Sequence, residues 1–187
     1  MLQLYLHDFS DFATDSDATW DVSDDGFFQY KYFDSYWIDS SREPLLFRMD
    51  DQIVGFAPLN EWSASGRGIG CGMGDFFIMR KYRGMGLGKR AALEIIRDRP
   101  VNWEIAVRDY NKPALSFWRS VVMSIDEFTV EEIAGDNKRW TGPIWHASEV
   151  SSAVHGLFYA GMKGCNVHRE VQGNPRRTAR TAQDYRC

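Results

Sequence analysis

Three glycines at every second position, Arg83-Gly84-Met85-Gly86-Leu87-Gly88-Lys89, lie between an apolar strand and an amphipathic helix. The chemistry open to such a pattern is anion binding. Successive backbone N–H groups at a helix N-terminus point outward, and the helix dipole adds partial positive charge, so a pyrophosphate can rest there. Gly86 and Gly88 omit side chains that would hold a phosphate away from the backbone, and Arg83 and Lys89 add charge from the rim. Two other phosphate loops fail on spacing. A P-loop needs four residues between its glycines and a hydroxyl after the lysine, whereas only three separate Gly84 from Gly88 and Arg90 follows Lys89. The dinucleotide fingerprint Gly-x-Gly-x-x-Gly is one residue longer than Gly84 to Gly88. A glycine turn of purely structural use stands beside these readings.

A second constellation follows at Asn111-Lys112-Pro113-Ala114-Leu115-Ser116-Phe117-Trp118, a helix start with Asn at the cap position and Pro just inside. Together, Arg83-x-x-Gly86-x-Gly88 and Asn111-x-x-Ala114-x-x-Phe117-Trp118 resemble the acetyl-CoA signature and later helix of the GNAT superfamily of N-acetyltransferases. The likeness covers about residues 1–146, with its specific part between Phe76 and Trp118. It implies a mixed α/β fold: a central, mostly antiparallel sheet with helices on both faces and splayed fourth and fifth strands. The pantetheine arm of acetyl-CoA would lie between the strand Phe76–Met79 and the strand Trp103–Val107. Backbone groups near Ile78 and Arg80 would hold it, with Arg83, Gly84, Met85, Gly86, Leu87, Gly88 and Lys89 around the pyrophosphate. A strand N–H would stabilise the oxyanion. Asn111 would face the cofactor, or cap its helix.

The implied reaction is direct acetyl transfer to a primary amine in a ternary complex. An attacking ammonium, with a pKa near ~10.4, must first lose a proton. Asp75 and Glu104 are the candidate bases, each with a structural carboxylate as the alternative. The superfamily often places a tyrosine where this chain has Trp118, and indole donates no acidic proton; Tyr110 lies near, with packing as its other reading. Asp34, Tyr36 and Trp37 are candidates for the acceptor wall by position, or for the core. Two rivals remain: a non-catalytic acyl-CoA-binding module of the same fold, and a structural or interaction protein.

The elements that must position these groups follow from apolar periodicity. Leu4 to Phe12 reads as a helix, Phe27 to Tyr32 as a short strand, and Tyr36 to Ile38 as a short helix. Leu45–Met49 and Ile53–Leu59 flank Asp50-Asp51 as a hairpin, and Gly86–Asp98 is a helix ended by Pro100. Trp103–Val107 is a strand, Ala114–Val122 a helix, and Ile125–Ile133 and Arg139–His146 closing strands. The superfamily usually opens with a strand, whereas this chain opens with a helix, so either a partner chain, as in a homodimer, covers the exposed sheet edge or the recorded start is internal to a longer gene product.

With 187 residues, 44% of them hydrophobic, the chain can fill one domain core. The net charge of −4 hides a split: after His146 six Lys and Arg face three Asp and Glu, and before it sixteen face twenty-three. Residues 1–146 read as the acetyltransferase domain and 147–187 as a basic, partly disordered tail. No basic stripe marks a nucleic-acid binder. No apolar run spans a membrane and no signal peptide leads the chain, and three scattered cysteines suit a reducing compartment, so the cytoplasm is expected. No metal is assigned.

Overall fold

The computed structural model describes residues 1–12, 20–136, 140–149, 166–169 and 184–186, with only the backbone for 149 and the last two stretches. The segment Val150 to Phe158 and most of the basic tail lie outside the described residues. Among those described, no helix is long and apolar enough to cross a membrane.

Helix α1 (Leu2–Ser10) is followed by an irregular segment and the single turn α2 (Ser35–Ile38). Strand β1 (Arg42–Met49) and strand β2 (Gln52–Asn60) form the expected hairpin. Its two turn residues, Asp50 and Asp51, both have positive φ, as a two-residue turn matched to strand twist requires. Then come β3 (Cys71–Met73) and β4 (Phe77–Ile78), a 3-10 turn at Arg80–Tyr82, and α3 (Leu87–Arg97). Strand β5 (Trp103–Ala106), α4 (Lys112–Val122), β6 (Phe128–Ala134) and β7 (Pro143–Glu149) follow. Two short strands, β8 (Asn166–Arg169) and β9 (Asp184–Arg186), come from the tail.

The sheet order is β6-β7-β5-β3-β2-β1-β8-β9, with β4 pairing to β2 off this path. Every pairing is antiparallel except β3 with β5. The fold class implied by the sequence is therefore the one observed. The tail strand β8 runs antiparallel along the edge of β1 that sequence reasoning left for a partner chain, matching Leu45 with Arg169 and Arg48 with Asn166.

One sheet face packs on α3 and α4, whose inward residues Ala91, Ile95, Ile96, Trp118 and Val121 meet Phe47, Val54, Trp103 and Ile105. Burying each large apolar side chain there contributes roughly 1.5–3 kcal/mol. The opposite face is covered on its β2–β4 side by α1, through Tyr5 and Leu6 against Phe77.

Phe27 to Tyr32 is not a strand. Its order comes from an isolated bridge between Val22 and Phe28 and from Gln3, whose amide accepts from Phe28 N at 2.8 Å and donates to Phe28 O at 2.9 Å. A side chain stands in for the neighbouring strand, which periodicity cannot reveal.

Candidate active site

The strand expected at Phe76–Met79 is the second part of one broken strand that begins at Cys71–Met73. Over Cys71–Met73 the chain pairs with β5, matching Gly72 to Glu104 and Met73 to Ile105. At Gly74 it leaves that ladder: the Gly74 N–H turns to Pro58 O at 3.0 Å, and β4 continues against β2 alone. A Cβ at Gly74 would lie 2.7 Å from Pro58 O and from Asn60 Nδ2, so glycine is what lets the strand bend in. The result is an opening between β4 and β5.

Antiparallel ladders alternate, so the groups facing that opening can be identified. Met79 N donates to Val54 O, which turns the backbone groups of Ile78 away from β2 and toward the split. Across the split, Val107 N donates to Pro143 O, which turns the groups of Ala106 the same way. Pro143 has no N–H to return, and Val107 O instead receives the indole N–H of Trp140 at 3.3 Å.

At the foot of β4 lies the glycine turn. Gly84 and Gly86 have φ of 75° and 76°, a region that side-chain-bearing residues adopt at a cost, and a Cβ at either would meet open space. Gly86 is the N-cap of α3 and supplies no side-chain cap, so the first N–H groups of the helix have none from it. Arg90, one turn in, has a buried Nε without a hydrogen-bond partner among the described residues. Gly88 has another role: its Cβ would press on Ile78 at 3.3 Å and Phe117 at 3.4 Å, so it lets α3 approach β4 and α4.

Met85 is exposed on the turn, and Leu87 is in the core, so only its backbone can serve a ligand. Lys89 is half-buried on the first turn of α3. Arg83 is turned away from the rim: its Nε donates to Ile78 O at 2.7 Å and its Nη2 to Asp8 at 2.7 Å. Arg80 also pairs with Asp8, at 2.8 Å. Burial opposes ionisation of Asp8, but hydrogen bonds and charge from the two arginines outweigh it and hold the carboxyl below its ordinary value. The two arginines thus clamp α1 to the end of β4. Asn111 caps α4, accepting from Ala114 N at 3.1 Å. Trp118 is buried against Phe76 and Phe117, with ring centroids 5.3 and 5.0 Å away. Tyr110 packs its ring near Phe12, 5.7 Å away.

Asp75 sits where the broken strand resumes. Tyr5 Oη donates to its Oδ1 at 2.5 Å and Tyr30 Oη to its Oδ2 at 2.6 Å. Burial raises the Asp75 carboxyl above its ordinary value, against the pull of both phenols. Burial and the nearby carboxylate push both phenols up, so they remain donors. Tyr36 is buried beside them, its Oη accepting from Asn60 Nδ2 at 3.4 Å. Of the other acceptor candidates, Asp34 is an exposed N-cap of α2, and Trp37 is exposed with its ring 4.6 Å from Phe33.

Glu104 is buried in a different way. It accepts from Ser63 Oγ at 2.8 Å, from Ser65 Oγ, and from the backbone N–H groups of Ala64 and Ser65. Sequence reasoning missed Tyr5, Tyr30, Asn60 and the Ser63–Ser65 donors. Only the place of Tyr5 on the apolar face of its helix, beside Leu6 and Phe9, hinted at a polar tip directed inward. Cys71 is buried, which pushes its thiol up to about 12, so at neutral pH it is no thiolate nucleophile.

The sequence model of the acetyltransferase (GNAT) family matches residues 3–121, more than half of the chain. No curated protein sequence matches. Among solved structures, a protein of Bacillus anthracis str. Ames described as a streptothricin acetyltransferase, in complex with acetyl coenzyme A, is 16% identical, with a TM-score of 0.45 over 66% of this chain and 70% of that one. An aminoglycoside acetyltransferase AAC(6')-Ib in complex with coenzyme A is also 16% identical, at 0.45 over 80% and 91%. The ribosomal-protein-S18-alanine N-acetyltransferase of Escherichia coli is 15% identical, at 0.38 over 64% and 76%.

Proposed function

Because the chain belongs to the acetyltransferase (GNAT) family, a family of acyl-CoA-dependent N-acetyltransferases, we propose that it transfers an acetyl group from acetyl-CoA to a primary amine, directly, in the split between β4 and β5. The observation that carries this reading is the junction of two features: an α3 N-terminus with no side-chain cap behind Gly84 and Gly86, and a split faced by backbone groups of Ile78 and Ala106.

The residues fit the coenzyme. The first N–H groups of α3 and the guanidinium of Arg90 suit a pyrophosphate. The Ile78 N–H faces the split, while its carbonyl is occupied by Arg83. Bound acetyl-CoA supplies an activated thioester. Asp75 is the base: its raised basicity suits it to take a proton from the incoming ammonium, and Tyr5 and Tyr30 orient it. Arg83 and Arg80 position β4 through Asp8. Glu104, saturated by four donors, holds the Ser63–Ser65 loop and takes no part in proton transfer. Because Trp118 is buried where a phenol would serve as acid, the leaving thiolate takes its proton from solvent.

That same tryptophan favours the second reading, an acyl-CoA-binding module without turnover. Coenzyme A titrated in a calorimeter tests the shared part. The parent binds, and Gly86→Val loses at least about tenfold in affinity, because strain of about 1–3 kcal/mol distorts the turn and the side chain blocks the phosphate's approach. Equal binding by both would place the coenzyme elsewhere.

A further inference from the structure

We propose that the loop between β2 and β3 is a fixed wall of the acceptor cleft, and that Trp62 on it selects acceptors carrying a second ammonium group. The inference rests on the acetyltransferase reading and deepens it.

Residues 61–70 are held to the sheet at several points. Glu104 fixes Ser63, Ala64 and Ser65 through four hydrogen bonds. Arg67 pairs with Glu131 at 2.6 Å, and Trp62 N donates to Asn60 Oδ1 at 2.9 Å. The anchors lie in one row across the sheet, because Glu104 is matched to His146 and His146 to Glu131. Gly72, matched to Glu104, makes room: a Cβ there would be 3.1 Å from Trp62 O. A buried carboxylate committed to four donors is a costly way to fix a surface loop unless its position matters.

What the loop presents is an indole. Trp62 is 52% exposed and lies 6.3 Å, ring to ring, from Trp140, whose N–H is tied to Val107 O on the β7 side of the end of β5. Arg108 already lies over Trp140 at 4.0 Å. Among the described residues no cation lies over Trp62, which leaves an aromatic surface on the loop next to Asn60, the residue that packs on the strand break at Gly74. Asn60 links the two sides, since it accepts from Trp62 N and donates to Tyr36, which neighbours Tyr30 and Asp75. An acceptor whose reacting amine gives its proton to Asp75 can therefore lay a second, still protonated amine on Trp62, where the ring quadrupole attracts it. The first 41 residues, from which Tyr5, Tyr30 and Tyr36 reach the Asp75 side, contain nine Asp and one Lys, a charge balance that draws polycations.

The test is the ratio of kcat/KM for spermidine to that for n-butylamine, measured by thiol release from acetyl-CoA with the full chain. The parent favours spermidine at least tenfold. In Trp62→Ala the ratio drops roughly tenfold, and in Trp62→Phe it stays within about threefold of the parent. Glu104→Ala, which removes both acceptor oxygens and so releases the loop but keeps the indole, loses the preference as Trp62→Ala does. Melting temperatures show that each variant is folded, and if Trp62→Ala is not, the comparison of Trp62→Phe with Trp62→Leu replaces it. A parent without preference, or a ratio unmoved by losing the indole, overturns the wall while amine turnover upholds the acetyltransferase reading. Should neither amine be acetylated by a protein that binds coenzyme A, both the reading and the wall fall.

Discussion

Asp75 and Glu104 are carboxylates on neighbouring stretches of one sheet, yet their surroundings differ in kind. Glu104 accepts four hydrogen bonds, two from backbone N–H groups, and every donor comes from one loop. Asp75 is held by two phenols from separate segments, α1 and the irregular stretch after it, at the point where the sheet opens. A carboxylate saturated by a loop is an anchor, because giving up its charge would free the loop. One held by weak acids in a desolvated site has a raised pKa and can take up a proton. Residue type does not separate these roles; the donors do.

The comparison is broken most readily by exchanging each acid for its amide. Asp75→Asn should lower kcat about 10²–10⁴-fold with coenzyme A affinity unchanged, the range expected for loss of a general base. In Glu104→Gln kcat should fall less than tenfold, while stability falls by about 3 kcal/mol because the Ala64 and Ser65 N–H groups and the Ser63 and Ser65 hydroxyls lose their bonds to a charged acceptor. That corresponds to roughly 6–12 °C in melting temperature. Equal kinetic losses in both would erase the distinction.

pH sharpens it further. The folded Asp75 carboxyl is raised, so its stabilisation is complete below the ordinary carboxylate range and is lost as pH rises through the folded value. Asparagine stays neutral throughout. The melting temperature of Asp75→Asn relative to the parent should therefore climb as pH rises across that window, and a flat difference would contradict the raised pKa. The smallest effect is expected for Tyr30→Phe. Removing one phenol takes away a hydrogen bond that lowers the Asp75 pKa, so the acid limb of kcat/KM should move to higher pH with its plateau within about threefold.

The part of the site legible in the sequence is the part built from local structure. Gly84 and Gly86 stand out because a turn into a helix needs positive φ there, and Asn111 because a helix start needs a cap. What was not legible depends on distant pairing. Arg83 was read as a phosphate-facing cation, but Asp8, 75 residues earlier, captures it. The break at Gly74 is set by Pro58 and Asn60 on another strand. Gly88 looked like a cradle residue, and its spacing needs a neighbour's side chain, Phe117, to reveal that it is a packing contact. Asp75 and Glu104 looked alike for the same reason, since the phenols and the serine loop that tell them apart are 39–70 residues away along the chain.

The most direct measurement of the central claim is the stoichiometry of one reaction: the parent, acetyl-CoA and a panel of primary amines, with thiol release and acetylated amine counted together. The account predicts amine-dependent release of one coenzyme A for each acetylated amine, with no acetyl group left on the protein. Tight coenzyme A binding with no amine-dependent release, or an acetylated protein formed before the product, would contradict it.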